Sequence, residues 1–382
     1  MLNRIAAEPL IPKMPGAERP SARDATALPD GAQPFAAPIE RGSRSFTEAL
    51  ASWQRLAREA PPMLSPEFFL LTARRVRLRE ATLFGARRGH DLVTVLPLAR
   101  DGRKLVPVLS DHTPRFDLVG DRATMPQLWS AVREAGHWDV LDLGRVPCDS
   151  PIALELPALA RADGHSVTVL ETHDVPWFLT DGIEERIHRR FRGDMRRLER
   201  QLGGVELERV DAFDRGALQE LWRLEAAAWK GAAGTAIACD PALVRFYTAL
   251  ARVFARRGRL TVAFLRARGR RIAGCFALED ATTFYLFKIG HDPEYAHYGP
   301  GQLLVRETAA DASRRGLRRY DLLGRSTPWK AKWSDQSVGH VGIRIYAPSA
   351  RGRALYFARE IARPLAGRAL RTLRGVRSRV PT

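Results

Sequence analysis

The segment from Phe284 to Leu304 constrains the fold more than any other. Phe284-Tyr285-Leu286-Phe287-Lys288-Ile289-Gly290 reads as a buried strand, His291-Asp292 opens a short polar loop, and Tyr298-Gly299-Pro300-Gly301-Gln302-Leu303-Leu304 starts a helix. Pro300 suits the first helical turn, where its missing N–H costs nothing. Gly299 and Gly301 carry no Cβ, so the backbone there can approach a ligand closely. A helix start also presents unpaired N–H groups and the positive end of the helix dipole. A strand feeding such a start is an anion site and one way to hold a diphosphate. It is also a common way to end a loop, and only the rest of the chain decides between the two.

At 382 residues the chain has room for two domains with separate cores. With 45% hydrophobic and 27% charged residues, most of it is expected to fold. No apolar run approaches the about 18 residues of a membrane-spanning helix, and the N-terminus lacks the basic-then-apolar order of a secretory signal. Cys148, Cys239 and Cys275 lie far apart without metal or redox spacing. A reduced, cytoplasmic setting is the expectation. The net charge of +18 is concentrated: nine arginines stand against the single acid Glu360 between Ala350 and Thr382. Either the composition is simply arginine-rich, or the excess attracts an anionic membrane face, nucleic acid or phosphorylated substrates.

Residues 1–44 hold seven prolines and no periodic apolar pattern, which predicts a disordered leader. Phe46, Leu50, Trp53 and Leu56 recur at helical spacing, and an α/β unit over 45–182 follows. Its expected strands are Ala81–Phe84, Leu92–Leu98, Leu105–Leu109, Val140–Leu143 and Val167–Leu170, with helices at Met125–Ala135 and Pro151–Ala162. An arginine-rich helix from Ile183 to Leu202, stopped by Gly203-Gly204, opens a second unit over 183–349. There the pattern predicts strand Val205–Val210, helices Arg215–Trp229 and Pro241–Arg256, strands Leu260–Ala267, Arg271–Leu278 and Thr282–Ile289, the Pro-Gly helix to Arg315, and strand Arg319–Leu323. Two α/β halves in the same element order suggest a duplicated fold. Residues 350–382 read as a basic tail, a helix broken at Pro364.

The chain carries no G-x-x-x-x-G-K loop, G-x-G-x-x-G, H-E-x-x-H or nucleophile-elbow serine. His291 and His297 are six apart in a loop, poor spacing for a metal pair, and no metal is expected. What the chain does carry is an ordered series: Lys288, Asp292, Tyr295, Gly299-Pro300-Gly301, Tyr320-Asp321-Leu322-Leu323-Gly324 and Trp329-Lys330-Ala331-Lys332-Trp333. In this series the chain resembles the CelD/BcsL-type acetyltransferases of the GCN5-related N-acetyltransferase (GNAT) superfamily, relatives of the Fem peptidoglycan transferases. The likeness extends more loosely upstream through Glu225, Trp229-Lys230-Gly231 and Arg196-Arg197 to Ser65-Pro66-Glu67-Phe68 and Leu96-Pro97-Leu98.

The resemblance implies two tandem GNAT-like acyl-CoA N-acyltransferase domains of mixed α/β class, the second holding the donor. That donor would be acetyl-CoA or another acyl-CoA, with its diphosphate at Gly299, Pro300, Gly301, Gln302 and Leu303. The acceptor would be an amine or hydroxyl of a saccharide, such as a cell-surface polysaccharide precursor. Lys288, His291, Asp292 and Lys330 are the catalytic candidates, and Trp229, Lys230, Tyr295, Asp321 and Trp333 the substrate-binding ones. Each has a plain alternative. Lys288 either snorkels from an edge, pairs with Asp292 or faces a ligand. Asp292 either serves the acceptor beside His291 or caps a loop; Asp321 either lines a crevice or forms a turn. Lys330 is either solvated beside two tryptophans or contacts an anion, while Trp229 and Lys230 either line the acceptor or pack.

One departure bears on the donor. The superfamily's phosphate motif begins with Arg or Gln, and Ala296-His297-Tyr298-Gly299-Pro300-Gly301 has Ala296 there. Fem-like relatives share that loss, and some use aminoacyl-tRNA, so tRNA is the alternative partner. The tail, with Leu355, Phe357, Ile361, Leu365, Leu370 and Leu373 among arginines, either lies on a membrane surface or is disordered or packs. A non-catalytic protein that binds a membrane-associated polysaccharide synthase through this tail is the third reading.

Overall fold

The computed structural model describes residues 31–364 apart from 41–42, 77–79, 228–230, 232 and 335. Trp229, Lys230, most of the expected leader and the end of the tail therefore lie outside the described residues.

Thirteen strands form one mixed sheet. In chain order they are β1 (Gln33–Pro38), β2 (Ala81–Arg88), β3 (Asp91–Asp101), β4 (Lys104–Pro107), β5 (Val119–Gly120), β6 (Val140–Pro147) and β7 (Ser166–Leu179). Then come β8 (Glu206–Val210), β9 (Leu260–Ala267), β10 (Arg270–Glu279), β11 (Thr283–His291), β12 (Arg319–Asp321) and β13 (Ser337–Tyr346). The strand order is β1-β2-β3-β4-β6-β13-β7-β12-β11-β10-β9-β8, with β5 beside β3.

This order contains the same unit twice. In the first half, β1, helices Arg44–Leu56 and Pro66–Arg75, β2, β3, β4, helix Met125–Glu134 and β6 follow one another. In the second, β8, helices Arg215–Ala226 and Pro241–Ala255, β9, β10, β11, the Pro-Gly helix Pro300–Arg314 and β12 repeat that succession. Each unit ends on a parallel pair, β4 with β6 and β11 with β12, reached through a crossover helix. The mixed α/β class and the duplication expected from element order are both observed.

The halves are not separate in space. After its unit each half makes one more long strand, and these last strands are exchanged. β13 pairs with β6 of the first half, β7 pairs with β12 of the second, and the two pair with each other from Ser337↔Pro176 to Tyr346↔Ser166. A cut at residue 182 divides the chain between the two series but leaves each sheet short of a strand. Cores follow the same logic. Val341, Ile343 and Ile345 of β13 belong to the first half's core beside Trp129 and Leu143. Trp53 and Phe68 of the first half share another core with Tyr247, Phe254 and Phe276 of the second.

Three expectations are corrected. Strand β1 lies inside the supposed leader, pairing Gln33↔Arg87 through Pro38↔Thr82. Its prolines hid it, yet at the sheet's edge a missing N–H is tolerated. The helix expected from Ile183 to Leu202 is two, Ile183–Arg186 and Arg189–Leu202, because Ile187 is extended (φ −74°, ψ 152°) and buried, and His188 caps the second helix. Finally, the strand expected at Val167–Leu170 runs on to Leu179 through Glu171-Thr172-His173-Asp174, polar residues that mask the period. The tail begins by packing rather than hanging free. Glu360 accepts from Arg344 and Tyr346 on β13, and Arg359 donates to Asp142 on β6.

Because β13 closes the first half's core from the far end of the chain, the two halves should unfold together. Ile343 is fully buried, so Ile343→Ala is expected to cost about 2–5 kcal/mol while thermal melting keeps one transition. Two resolved calorimetric transitions would show the halves to be independent.

Candidate functional site

The strand exchange leaves a slot. β12 stops at Asp321 after three residues, paired with Trp177–Leu179 of β7 on one side and Thr283–Tyr285 of β11 on the other. Both neighbours run on past its end, and the gap between them is one strand wide. A cavity of about 650 Å³ occupies it. Thr172 and His173 of β7 form one wall and Leu286–Ile289 of β11 the other. Leu322 to Arg325 form the floor, Trp329 and Lys330 close one side, and Tyr247 lies beneath β11. The remaining wall comes from the first half: the loop from Leu109 to Pro114, with Gly144 and Arg145.

The floor is a strained turn held from three directions. Asp321 accepts a hydrogen bond from the Leu323 amide at 2.9 Å, so its carboxylate forms the turn. Leu323 and Gly324 follow at φ 49° and 59°, and the left-handed region costs a non-glycine residue about 1–2 kcal/mol. The Lys330 ammonium offsets that cost by donating to the Leu323 and Arg325 carbonyls. It also sits 5.7 Å from the Trp329 ring centroid, so Lys330 braces the floor and brings positive charge to the cavity.

Lys288 reaches in from β11, its ammonium 5.5 Å from the Tyr247 ring centroid. The Tyr247 hydroxyl pairs with His112 Nδ1 at 3.1 Å. Burial, reinforced by the charges of Lys288 and Arg75, pushes the His112 pKa down to about 4. On the β7 side, His173 meets His340 edge-on at 5.0 Å. Burial and then the positive charge of His173 push His340 down to about 4. Burial and then Arg325 and Arg145 push His173 down as well. These imidazoles are therefore neutral near pH 7.

The expected catalytic residues are not gathered in one place. Lys288 and Lys330 line the cavity; His291 and Asp292 do not. His291 ends β11, and buried Asp292 caps the turn Pro293–Tyr298 by accepting from the Glu294 amide at 3.0 Å, with Arg270 3.7 Å away. Tyr295 lies on that turn under Arg270. At the Pro-Gly helix Gly299 takes φ 60° as the cap, and Leu303 is buried in the core. Trp333, 2% exposed, ends a stack across the sheet: Phe284–Tyr320 at 4.6 Å, Tyr320–Phe178 at 4.8 Å and Phe178–Trp333 at 5.6 Å. Its indole N–H donates to Gln302 Oε1 at 2.5 Å, tying the Trp-Lys-x-x-Trp segment to the helix start. The helix start joins the cavity through Ile289, which lines it and whose Cδ1 would lie 3.8 Å from a Cβ on Gly301.

Sequence reasoning missed His112, His173, Arg145, Tyr247 and Arg325. The only signal was polar: Ser110-Asp111-His112-Thr113 interrupts an apolar region, as does Glu171-Thr172-His173-Asp174.

The first half has the same splayed parallel pair, but it is closed. β4 and β6 pair only at Lys104↔Val140 and Leu105↔Leu141. The loop beyond β4 turns back toward β6, where the Phe116 amide donates to the Arg145 carbonyl at 3.0 Å. The Arg145 side chain, at φ 59°, donates to the Ser110 and Thr113 carbonyls.

The part of the cavity lining that runs from Tyr247 to Lys330 falls in a stretch that matches a known family. Residues 186–331 match the acetyltransferase (GNAT) domain. This places an acyltransferase domain in the second half of the chain. The crystal structure of FemX has a TM-score of 0.57 to this chain, with 10% identity over 81% of this chain and 98% of that one. A conserved protein of unknown function from Bacteroides thetaiotaomicron gives 0.52, with 13% identity over 78% and 97%. The C-terminal domain of an Agrobacterium fabrum protein described as a lysylphosphatidylglycerol synthetase gives 0.50, with 13% identity over 82% and 95%. At such identities the likeness is one of fold. No curated protein matches the sequence. Among the described residues, no cluster of His, Cys, Asp and Glu could hold a metal, and no helix is long and apolar enough to cross a membrane.

The buried histidines give a pH signature. A histidine whose pKa is lower folded than unfolded binds its proton mainly in the unfolded state, so its contribution is complete above about 6.5 and is lost as pH falls toward 4. His340→Asn should therefore flatten the fall in melting temperature between pH 6.5 and 4.5 relative to the unmodified protein. An equal fall in both would show that His340 is not held neutral.

Proposed function

We propose that the protein transfers an acetyl or related acyl group from acyl-CoA to an amine or hydroxyl of a saccharide, such as a cell-surface polysaccharide precursor or sugar nucleotide. The observation that carries this reading is the open slot at the end of β12, joined through Ile289 to the Pro-Gly helix start within the matched GNAT domain. The helix start offers N–H groups and dipole to the donor's diphosphate. The edges of β11 and β7 guide its arm toward the cavity, and the acceptor enters from the side of the first half. The first half, its own wedge closed, serves as a wall.

Transfer then needs alignment of the reacting atoms and removal of one proton. The acceptor's nitrogen or oxygen bonds to the acyl carbon, the carbon–sulfur bond breaks, and the thiolate leaves, to be protonated by the proton that the base has taken from the acceptor. His112, with Nδ1–H donating to the Tyr247 oxygen, takes the acceptor's proton at Nε2. Lys288 and Lys330 supply positive charge where negative charge develops. His112→Gln should lower kcat by about 10²–10⁴-fold with donor affinity unchanged; full activity in that variant would remove His112 from the chemistry.

Donor binding is tested at the helix start. A carboxylate in the first helical turn complements the dipole, so Gly301→Asp should not destabilise the fold. It should abolish the rise in melting temperature caused by coenzyme A, through repulsion at the diphosphate position. An unchanged shift would sink the assignment of that helix.

A second reading, transfer from aminoacyl-tRNA, is favoured by Ala296 and by the fold likeness to FemX. It predicts retention of tRNA at moderate salt and no response to coenzyme A.

The tail is the proposed membrane contact. Leu355, Phe357 and Ile361 are exposed beside its arginines. Leu355→Ser, Phe357→Ser and Ile361→Ser together spare the Glu360 and Arg359 contacts and should abolish binding to anionic vesicles; retained binding would place any membrane contact elsewhere.

A further inference from the structure

We infer that the acceptor enters the cavity carrying an anionic group, a phosphate or carboxylate, and that Arg325 and Arg145 receive it. This rests on the reading of the cavity as an acyl-acceptor site. Among the described residues lining it, Arg145, Lys288, Arg325 and Lys330 are cationic. Asp111 is the one carboxylate, with its side chain 98% exposed and 3.9 Å from the Arg145 guanidinium.

Positive charge set into a partly enclosed, low-dielectric hollow concentrates anions there. The histidines report the same field. Burial lowers each pKa first; Lys288 and Arg75 then lower His112, Arg325 and Arg145 lower His173, and His173, Arg115 and Arg145 lower His340. Neutral imidazoles leave the charge of the cations undiminished and add hydrogen-bonding capacity.

The donor does not account for these charges. In the reading above its diphosphate sits at the helix start, and Gly299 to Gln302 do not line the cavity. Arg145 comes from the opposite wall, on β6 of the first half. Arg145 and Lys330 also brace carbonyls. Arg325 is exposed in the turn after β12 and lines the cavity, so it is the residue at which recognition can be tested apart from architecture. The class of acceptor that follows is a phosphorylated or acidic sugar rather than a neutral glycan.

The test uses the full chain and a matched pair of probes, glucosamine 6-phosphate and glucosamine, followed by thermal shift and by thiol release from acetyl-CoA. Glucosamine 6-phosphate should raise the melting temperature, less so at high salt, and glucosamine should not. Arg325→Gln should weaken that binding about 10- to 100-fold, with Arg325→Lys recovering part of it and the coenzyme A shift unchanged in both. Equal responses to the two sugars would overturn the inference, as would no response to either. Loss of the coenzyme A shift in Arg325→Gln would also overturn it, by assigning the charge to the donor. If coenzyme A gives no shift in the unmodified protein, the donor reading fails alone, because the sugar titrations do not require a donor.

Discussion

The exchange of terminal strands between the two halves is the constraint on which everything else depends. β13 completes the sheet that β6 would otherwise end, and β7 does the same for β12. Each half thus relies on residues from the other for a fully hydrogen-bonded sheet. The pairing of β7 with β13 welds the two donated strands into the centre of the molecule. A unit ending on the three-residue strand β12 would have a weak edge if it stood alone. In this arrangement it becomes the interior of a single sheet, with hydrophobic residues of both halves in common cores.

The same arrangement makes the site. A central strand of three residues between two long neighbours leaves a gap that side chains do not have to carve. In the first half the equivalent wedge is taken by the chain's own loop, with Arg145 holding its carbonyls. That loop, no longer needed to admit a ligand, lends His112 to the neighbouring cavity, and β6 lends Arg145. A duplicated fold has become one open cleft and one closed support.

Much of this was legible in the sequence. Period and turn chemistry located nearly every helix and strand, and the Pro-Gly start, the Tyr-Asp-Leu-Leu-Gly turn and the Trp-Lys-x-x-Trp segment do converge, through the Trp333–Gln302 bond and the Lys330 brace. What stayed hidden was non-local. β1 was masked by prolines that only an edge position explains. β7 was cut short because its middle residues are polar, and two of them, Thr172 and His173, line the cavity. For Asp292 the sequence leaves two readings open, and the one seen is the loop cap: its carboxylate accepts from the amide two residues on. His112 lies 176 positions before Lys288, and only the topology brings them to one hollow.

The length of β12 has a consequence of its own. The space open to substrates is set by where a backbone stops pairing, so apart from braces such as Lys330 and Arg145 the fold does not depend on which side chains line it. Exposed Arg325 can be exchanged for another residue at small structural expense, and the preference of the cleft can drift while its shape persists. A backbone held in common at 10–13% identity is what such a division of labour would leave behind.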